Sequence, residues 1–241
     1  MPFYAALVPA ESELAIPAAL MGEPARAAML LALMNGQARP AGELARLAGV
    51  GPSTASAHLH RLTDGGLIRV SAAGRNRYYS LAGPEVARAV EALQALAPAV
   101  PVRSLRAART GTALAFARTC YDHLAGELSV ALAGVLVDRE VIAPLEPGVA
   151  GEVLDPGHEL LVFLGAGAAP ASGRRPAVRG CLDWTQRLPH VAGSLGAQVL
   201  LGVTRQGWIR PMTGSRAVKL TDQGRHALSE AGLISNDLLV A

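Results

Sequence analysis

The sequence predicts a mainly α fold carrying small β wings, of class α+β, and three observations lead there. Apolar residues recur at helical spacing in three short segments between residues 24 and 64. Glycine follows each of them, and two apolar runs then flank a Gly-rich, basic turn between residues 67 and 81. Weaker echoes of the same order return twice beyond residue 111.

Taken in order, Ala27, Leu30, Leu31 and Met34 give a first helix over Pro24–Met34, with Glu23 near its positive end. After Asn35-Gly36, the stretch Pro40–Ala48 places Leu44, Leu47 and Ala48 on one face and stops at Gly49. The turn Gly51-Pro52-Ser53 leads into a third helix, Ser53–Asp64, with Ser53 expected as its cap. Ala55, Leu59 and Leu62 form its inward stripe, which leaves Ser53, Ser56, Ala57, His60 and Arg61 facing out. Leu67–Val70 and Tyr78–Leu81 read as a hairpin around Ala72–Asn76, with Arg75 and Arg77 at its tip. Two helices joined by a tight turn, then a basic hairpin, make a winged helix-turn-helix. Pro84 opens a further helix through Val86, Val90, Leu93 and Leu96, of the kind that pairs subunits.

Domains are expected at 1–97, with a Pro- and Arg-rich linker over 98–111 and a C-terminal effector domain over 112–241. In the last, Glu140-Val141-Ile142 with Val153–Gly157, and Gly207–Arg210 with Val218–Gly224, echo the first hairpin and the capped helix after it. His123-Leu124-Ala125-Gly126 and His190-Val191-Ala192-Gly193 match in the preceding helices. The domain therefore reads as two degenerate winged-helix-like repeats, about 112–170 and 179–236.

Composition narrows the function. Half of the 241 residues are hydrophobic, which suits a packed core, with no uninterrupted apolar run of about 18 residues and no leader-like pattern at the start. A cytoplasmic protein without membrane contact is expected. Two cysteines are too few for a disulfide framework and agree with a reducing compartment. Net charge is only +3, yet between Arg39 and Leu81 six arginines face two acids, and Lys219 is the single lysine of the chain. A local excess of guanidinium suits phosphate and guanine. No Gly-rich phosphate loop, His-Glu-x-x-His helix or Gly-x-Ser-x-Gly elbow is present, so no enzyme is expected.

Glu23–Arg26, Gly42–Ala45, Pro52–Leu62, Gly65-Gly66-Leu67 and Gly74–Tyr79 together resemble the ArsR/SmtB family of winged-helix repressors. The resemblance covers residues 20–95 and is most specific over Ser53–Leu62. It implies a homodimer on an inverted repeat of double-stranded DNA, released when an effector binds. It also implies DNA contact by Ser53, Thr54, Ser56, His58, His60 and Arg61 on the helix, and by Arg75 and Arg77 on the wing. The chain departs from metal-sensing members: Glu43–Ala48 lacks their cysteine pair, and Glu85–Leu96 lacks their Asp/His cluster.

Cys120 falls with Ala117, Leu124 and Leu128 on one expected helical stripe, where a free cysteine packs as a small hydrophobe. Cys120 and His123, three apart, and Cys181 with His190 could instead supply a zinc-type metal site if the repeats face each other. The same thiols could form a redox pair. Trp184, Trp208, Phe116, Tyr121 and Phe163 could line a pocket for a small-molecule effector, or simply fill the core. A winged helix that binds protein rather than DNA is the remaining alternative.

Overall fold

The computed structural model describes residues 13–98, 104–167 and 175–235. They divide into two compact units, 13–31 with 38–83, and 32–37 with the described residues from 84 onward.

The first unit opens with α1 (Ala15–Gly22), a helix the sequence reading left out, followed by α2 (Pro24–Leu33). Glu23 caps α2 by accepting from the backbone N–H groups of Ala25 and Arg26. Arg26 turns back, donating to the carbonyls of Ala19 and Leu20, and so satisfies the end of α1. The strand β1 (Arg39–Pro40) leads into α3 (Ala41–Ala48), which ends at Gly49 in the left-handed conformation. Then comes α4 (Pro52–Asp64), packed on α3. Its N-cap is Gly51 and its first residue Pro52, so Ser53 lies inside the helix and does not cap it. Proline is preorganised for that first position and has no N–H to leave unsatisfied. Ala55, Leu59 and Leu62 of α4 are buried as expected.

The wing is β2 (Ile68–Ala73) paired with β3 (Asn76–Leu81), with β1 on the other side of β3. Ala73 faces Asn76 in the register, so the turn is only Gly74-Arg75, with Gly74 at φ 59°. Both strands therefore run further toward the tip than their apolar alternation indicates.

The second unit takes in α5 (Pro84–Leu96), which the sequence reading gave to the N-terminal domain. The reason is Glu91: it is buried and bonds to Arg118 and Arg216, both far along the chain. The expected linker over 98–111 is helical from Leu105 onward, in α6 (Leu105–Phe116), where the Ser104 side chain caps Ala107 N–H. Pro101 and Arg103 lie outside the described residues.

After α6 the chain makes the hairpin β4 (Arg118–Cys120) and β5 (His123–Ala125), then α7 (Glu127–Asp138). A single bridge, Ile142 to Val153, replaces the expected second strand pair. β6 (Ala150–Gly151) and the short helix α8 (Glu159–Phe163) follow. The second copy runs β7 (Val178–Leu182), β8 (Pro189–Ala192), α9 (Gly193–Arg205), β9 (Ile209–Pro211), β10 (Val218–Leu220) and α10 (Asp222–Glu230). Each repeat thus begins with a β-hairpin, where the sequence reading had only a helix. The copies interlock: α9 packs on β5, α7 on β8, and β5 lies against β8. Leu128, Leu132, Leu195, Val199, Trp208 and Ile209 belong to the core that this arrangement encloses.

The five aromatic residues do not line one common pocket: Tyr121 and Phe116 border separate cavities. Trp208 is buried in that core with Phe163, ring centroids 4.8 Å apart, and Trp184 lies under the Arg118 guanidinium at 4.9 Å. Among the described residues no single helix is long and apolar enough to cross a membrane.

Candidate functional site

Two sets of side chains stand out, one in each unit. On α4, Ser53, Thr54, Ser56, His60 and Arg61 are all exposed, while Ala55 and Leu59 between them are buried. Arg75 and Arg77 are exposed at the wing, and Arg69 is exposed on β2. His58 departs from its expected place. It is only 15% exposed and turns inward, with Nδ1 3.4 Å from Glu23 Oε2 and 3.5 Å from an Arg26 nitrogen. The apolar periodicity alone could not show this, because it depends on a carboxylate 35 residues earlier.

The second set is Cys120, His123, Cys181 and His190, all buried. Cys120 and His123, expected as neighbours on one helix, instead face each other across the hairpin that β4 and β5 form. The helical reading failed because a three-residue spacing fits both a helix turn and a two-residue hairpin. The hairpin turns at Tyr121-Asp122, with Tyr121 at φ 61°, a left-handed position that tyrosine seldom occupies. Tyr121 N–H donates to Met34 C=O at 2.6 Å, which fixes that turn. Cys181 and His190 face each other in the same way across β7 and β8. In both copies the strand bearing the histidine ends two residues on and a glycine of positive φ follows: Gly126 at 94° and Gly193 at 83°. A Cβ at either position would meet backbone carbonyls within 2.8 Å, so only glycine lets the following helix start so close.

The interlocked repeats bring the two Cys/His pairs together. The sulfurs are 4.0 Å apart, the two histidine Nε2 atoms 3.2 Å apart, and all four candidate donor atoms lie within 4.8 Å of one another. Each histidine turns its other nitrogen to a carboxylate. His123 Nδ1 is 3.2 Å from Asp122 Oδ1, and His190 Nδ1 is 3.6 Å from Asp183 Oδ2, with no hydrogen-bond partner nearer. The sequence reading missed both aspartates, although each stands two residues after a cysteine.

Asp183 is a junction. Its Oδ1 accepts from Thr185 N–H, the Thr185 hydroxyl and Gln186 N–H, and its Oδ2 accepts from Gly126 N–H. Arg118 reaches the same Oδ2 at 3.0 Å and also approaches Glu91 of α5 at 3.5 Å. Glu91 in turn holds Arg216 at 2.5 Å.

The charges follow from these contacts. Burial works against the charged form of Asp183, but Arg118 and the surrounding donors hold its carboxyl down at about 2. Burial likewise disfavours the His123 cation, yet Asp122 and Cys181 outweigh it and raise the imidazole to about 9. The hydrogen bond between the thiols pushes Cys181 well below the ordinary thiol range and, with burial, raises Cys120. A cavity of about 430 Å³, lined in part by Tyr121, Asp122, Arg175 and Pro176, reaches Cys120, His123 and Cys181 from outside.

Residues 21–71 match a family model described as a helix-turn-helix domain. Over 212 residues the chain is 40% identical to the HTH-type transcriptional regulator YdfF of Bacillus subtilis strain 168, covering 88% of this chain and 93% of that one. The chain belongs to the HTH-type transcriptional regulators. Like them it is a DNA-binding regulator, and the winged helix of its first unit is the part that the family model matches. The similarity to YdfF extends into the second unit, so the hairpins with their cysteines and histidines lie within the span that the two chains share. Solved structures similar to part of this chain include the transcriptional repressor BigR of Xylella fastidiosa, 26% identical over 36% of this chain and 89% of that one, TM-score 0.34. Another is the cadmium sensor CmtR of Mycobacterium tuberculosis, 34% identical over 38% of this chain and 94% of that one, TM-score 0.31.

Proposed function

We propose that this regulator acts as a homodimeric repressor on an inverted-repeat operator, and that an effector taken up in the second unit releases it. The observation that carries the reading is the exposed face of α4. Ser53, Thr54, Ser56, His60 and Arg61 present short polar and cationic groups along one side, with a turn before them and a basic wing after. That is the side chemistry a helix needs in the major groove, where arginine reads guanine by two hydrogen bonds. Arg75 and Arg77 touch phosphate or the minor groove. His58, turned to Glu23, supports the helix from behind and reads no base.

Leu93 and Leu96 of α5 remain exposed in the single chain, which supports pairing of two copies through that helix. The cytoplasm is its compartment, where both cysteines stay reduced. No catalytic step is assigned to the Cys/His cluster.

The test is retention of a duplex from upstream of its own coding sequence, followed by fluorescence anisotropy at several salt concentrations. Nanomolar binding with a steep salt slope, lost in Arg61→Ala, is the expected result. Weak binding with no salt dependence would instead make the winged helix a protein-docking module.

A further inference from the structure

We propose that Cys120, His123, Cys181 and His190 bind one divalent metal ion of the zinc type in a tetrahedral site. The site joins the two repeats, and its ligands come from β4, β5, β7 and β8 rather than from α3 or α5, where the resembled repressors carry their sensor ligands.

Three observations carry this. The first is spacing. A tetrahedral zinc at about 2.3 Å from sulfur and about 2.0 Å from nitrogen sets the sulfurs ~3.8 Å apart and the nitrogens ~3.3 Å apart. The observed separations are 4.0 Å and 3.2 Å. The longest separation in the group, 4.8 Å, closes onto an ion with side-chain shifts of about 1 Å.

The second is the orientation of the imidazoles. Nδ1 of each histidine faces a carboxylate, His123 at 3.2 Å and His190 at 3.6 Å, and this orientation aims the two Nε2 atoms at each other. At 3.2 Å the two Nε2 atoms share one proton when no ion is bound, and a metal ion that displaces this proton engages both. A carboxylate behind each histidine is also the outer shell that orients metal-binding imidazoles and strengthens them as donors.

The third is the way the set is built. Two copies of one hairpin, each contributing a cysteine and a cross-strand histidine, supply two thiolates and two imidazoles and nothing in excess. This is a common donor set for zinc, and soft enough to exclude magnesium and calcium. The cavity beside Tyr121 and Arg175 gives the ion a way in.

In its consequence for DNA this inference rests on the reading of the second unit as the effector-responsive one; the site itself is tested without DNA. The full chain, purified anaerobically with both thiols reduced, is titrated with Co²⁺ as a spectroscopic probe and then with Zn²⁺. One Co²⁺ per chain is expected, with intense visible bands of tetrahedral cobalt, sulfur-to-cobalt charge transfer, and full displacement by one Zn²⁺. Cys181→Ser is expected to remove about half of the charge-transfer intensity, and His190→Ala to weaken binding by more than about 100-fold, beyond what loss of a carboxylate behind the site costs. Circular dichroism of each variant separates loss of ligand from loss of fold, and the wild-type titration is decisive alone. Pale octahedral cobalt, no cobalt bound, or a Cys120–Cys181 disulfide formed without metal would each overturn the proposal. Tight DNA binding by a chain that binds no cobalt rejects the metal and keeps the regulator; cobalt bound by a chain that retains no DNA does the reverse.

Discussion

Arg118 and Asp183 form an ion pair at 3.0 Å with neither side chain exposed to solvent, and it connects the Cys/His cluster to α5. On one side Asp183 stands behind His190; on the other Arg118 meets Glu91, which also holds Arg216. α5 begins at Pro84, three residues after the wing strand β3 ends. A change at the cluster therefore has a short covalent and ionic route to the helix that follows the wing.

Breaking that route by removing one charge leaves others buried and uncompensated. Glu91→Ala is expected to destabilise the chain by about 3 kcal/mol, because Arg216 loses its carboxylate and Arg118 one of two. Urea unfolding of the isolated protein measures this. A loss no larger than that of Glu85→Ala, whose carboxylate is exposed, would show that the buried network contributes little.

Asp183→Asn keeps the size of the side chain and removes the charge behind His190. Metal affinity is expected to fall by about 10- to 100-fold. Competition against a chelator of known affinity gives the number, and an unchanged affinity would confine Asp183 to its hydrogen bonds with Gly126, Thr185 and Gln186 and its pair with Arg118.

The winged helix was largely legible in the sequence, and the cluster only in its residue types. Ala55, Leu59 and Leu62 announce α4 by their period, and Gly49 ends α3 with the conformation that only glycine adopts cheaply. β4 and β5 are three residues each, too short for alternation to show, and their turn puts Tyr121 in a left-handed conformation that no local signal predicts. The approach of Cys181 to Cys120 comes from packing between repeats 61 residues apart. Pro52 and Gly51 misled in a smaller way: a serine after proline looks like a cap, whereas proline already occupies the first helical position. The Cys-x-Asp pattern repeated at 120 and 181 was the readable sign of the carboxylates behind the histidines.

The two histidines of α4 separate reading from support. His60→Ala and Arg61→Ala are expected to weaken operator binding, the arginine by about 1–3 kcal/mol with relaxed specificity at its base. His58→Ala should instead lower thermal stability and leave the salt dependence of DNA binding as it is, since its ring faces Glu23. Equal losses of base specificity in all three variants would return His58 to the DNA face.

Glycine at the helix starts of the two repeats can be tested by a paired substitution. Gly193→Ala is expected to cost at least 1–3 kcal/mol, roughly, from a positive φ and a methyl group 2.7 Å from the Ala177 carbonyl oxygen. Gly134→Ala, in the exposed interior of α7 with nothing near its missing Cβ, should stabilise by about 0.5–1 kcal/mol. Denaturant midpoints of the two variants compare them directly.

The most direct measurement is the affinity of the reduced full-length chain for its own upstream duplex, with one equivalent of Zn²⁺ and after chelation, at fixed salt. If metal uptake at the hairpins is what releases the operator, the loaded chain binds more weakly by about 5- to 150-fold, the usual range of coupling between two sites. Affinities equal within about twofold, with the metal demonstrably bound, would contradict a sensing role and leave the cluster as a clasp between the repeats.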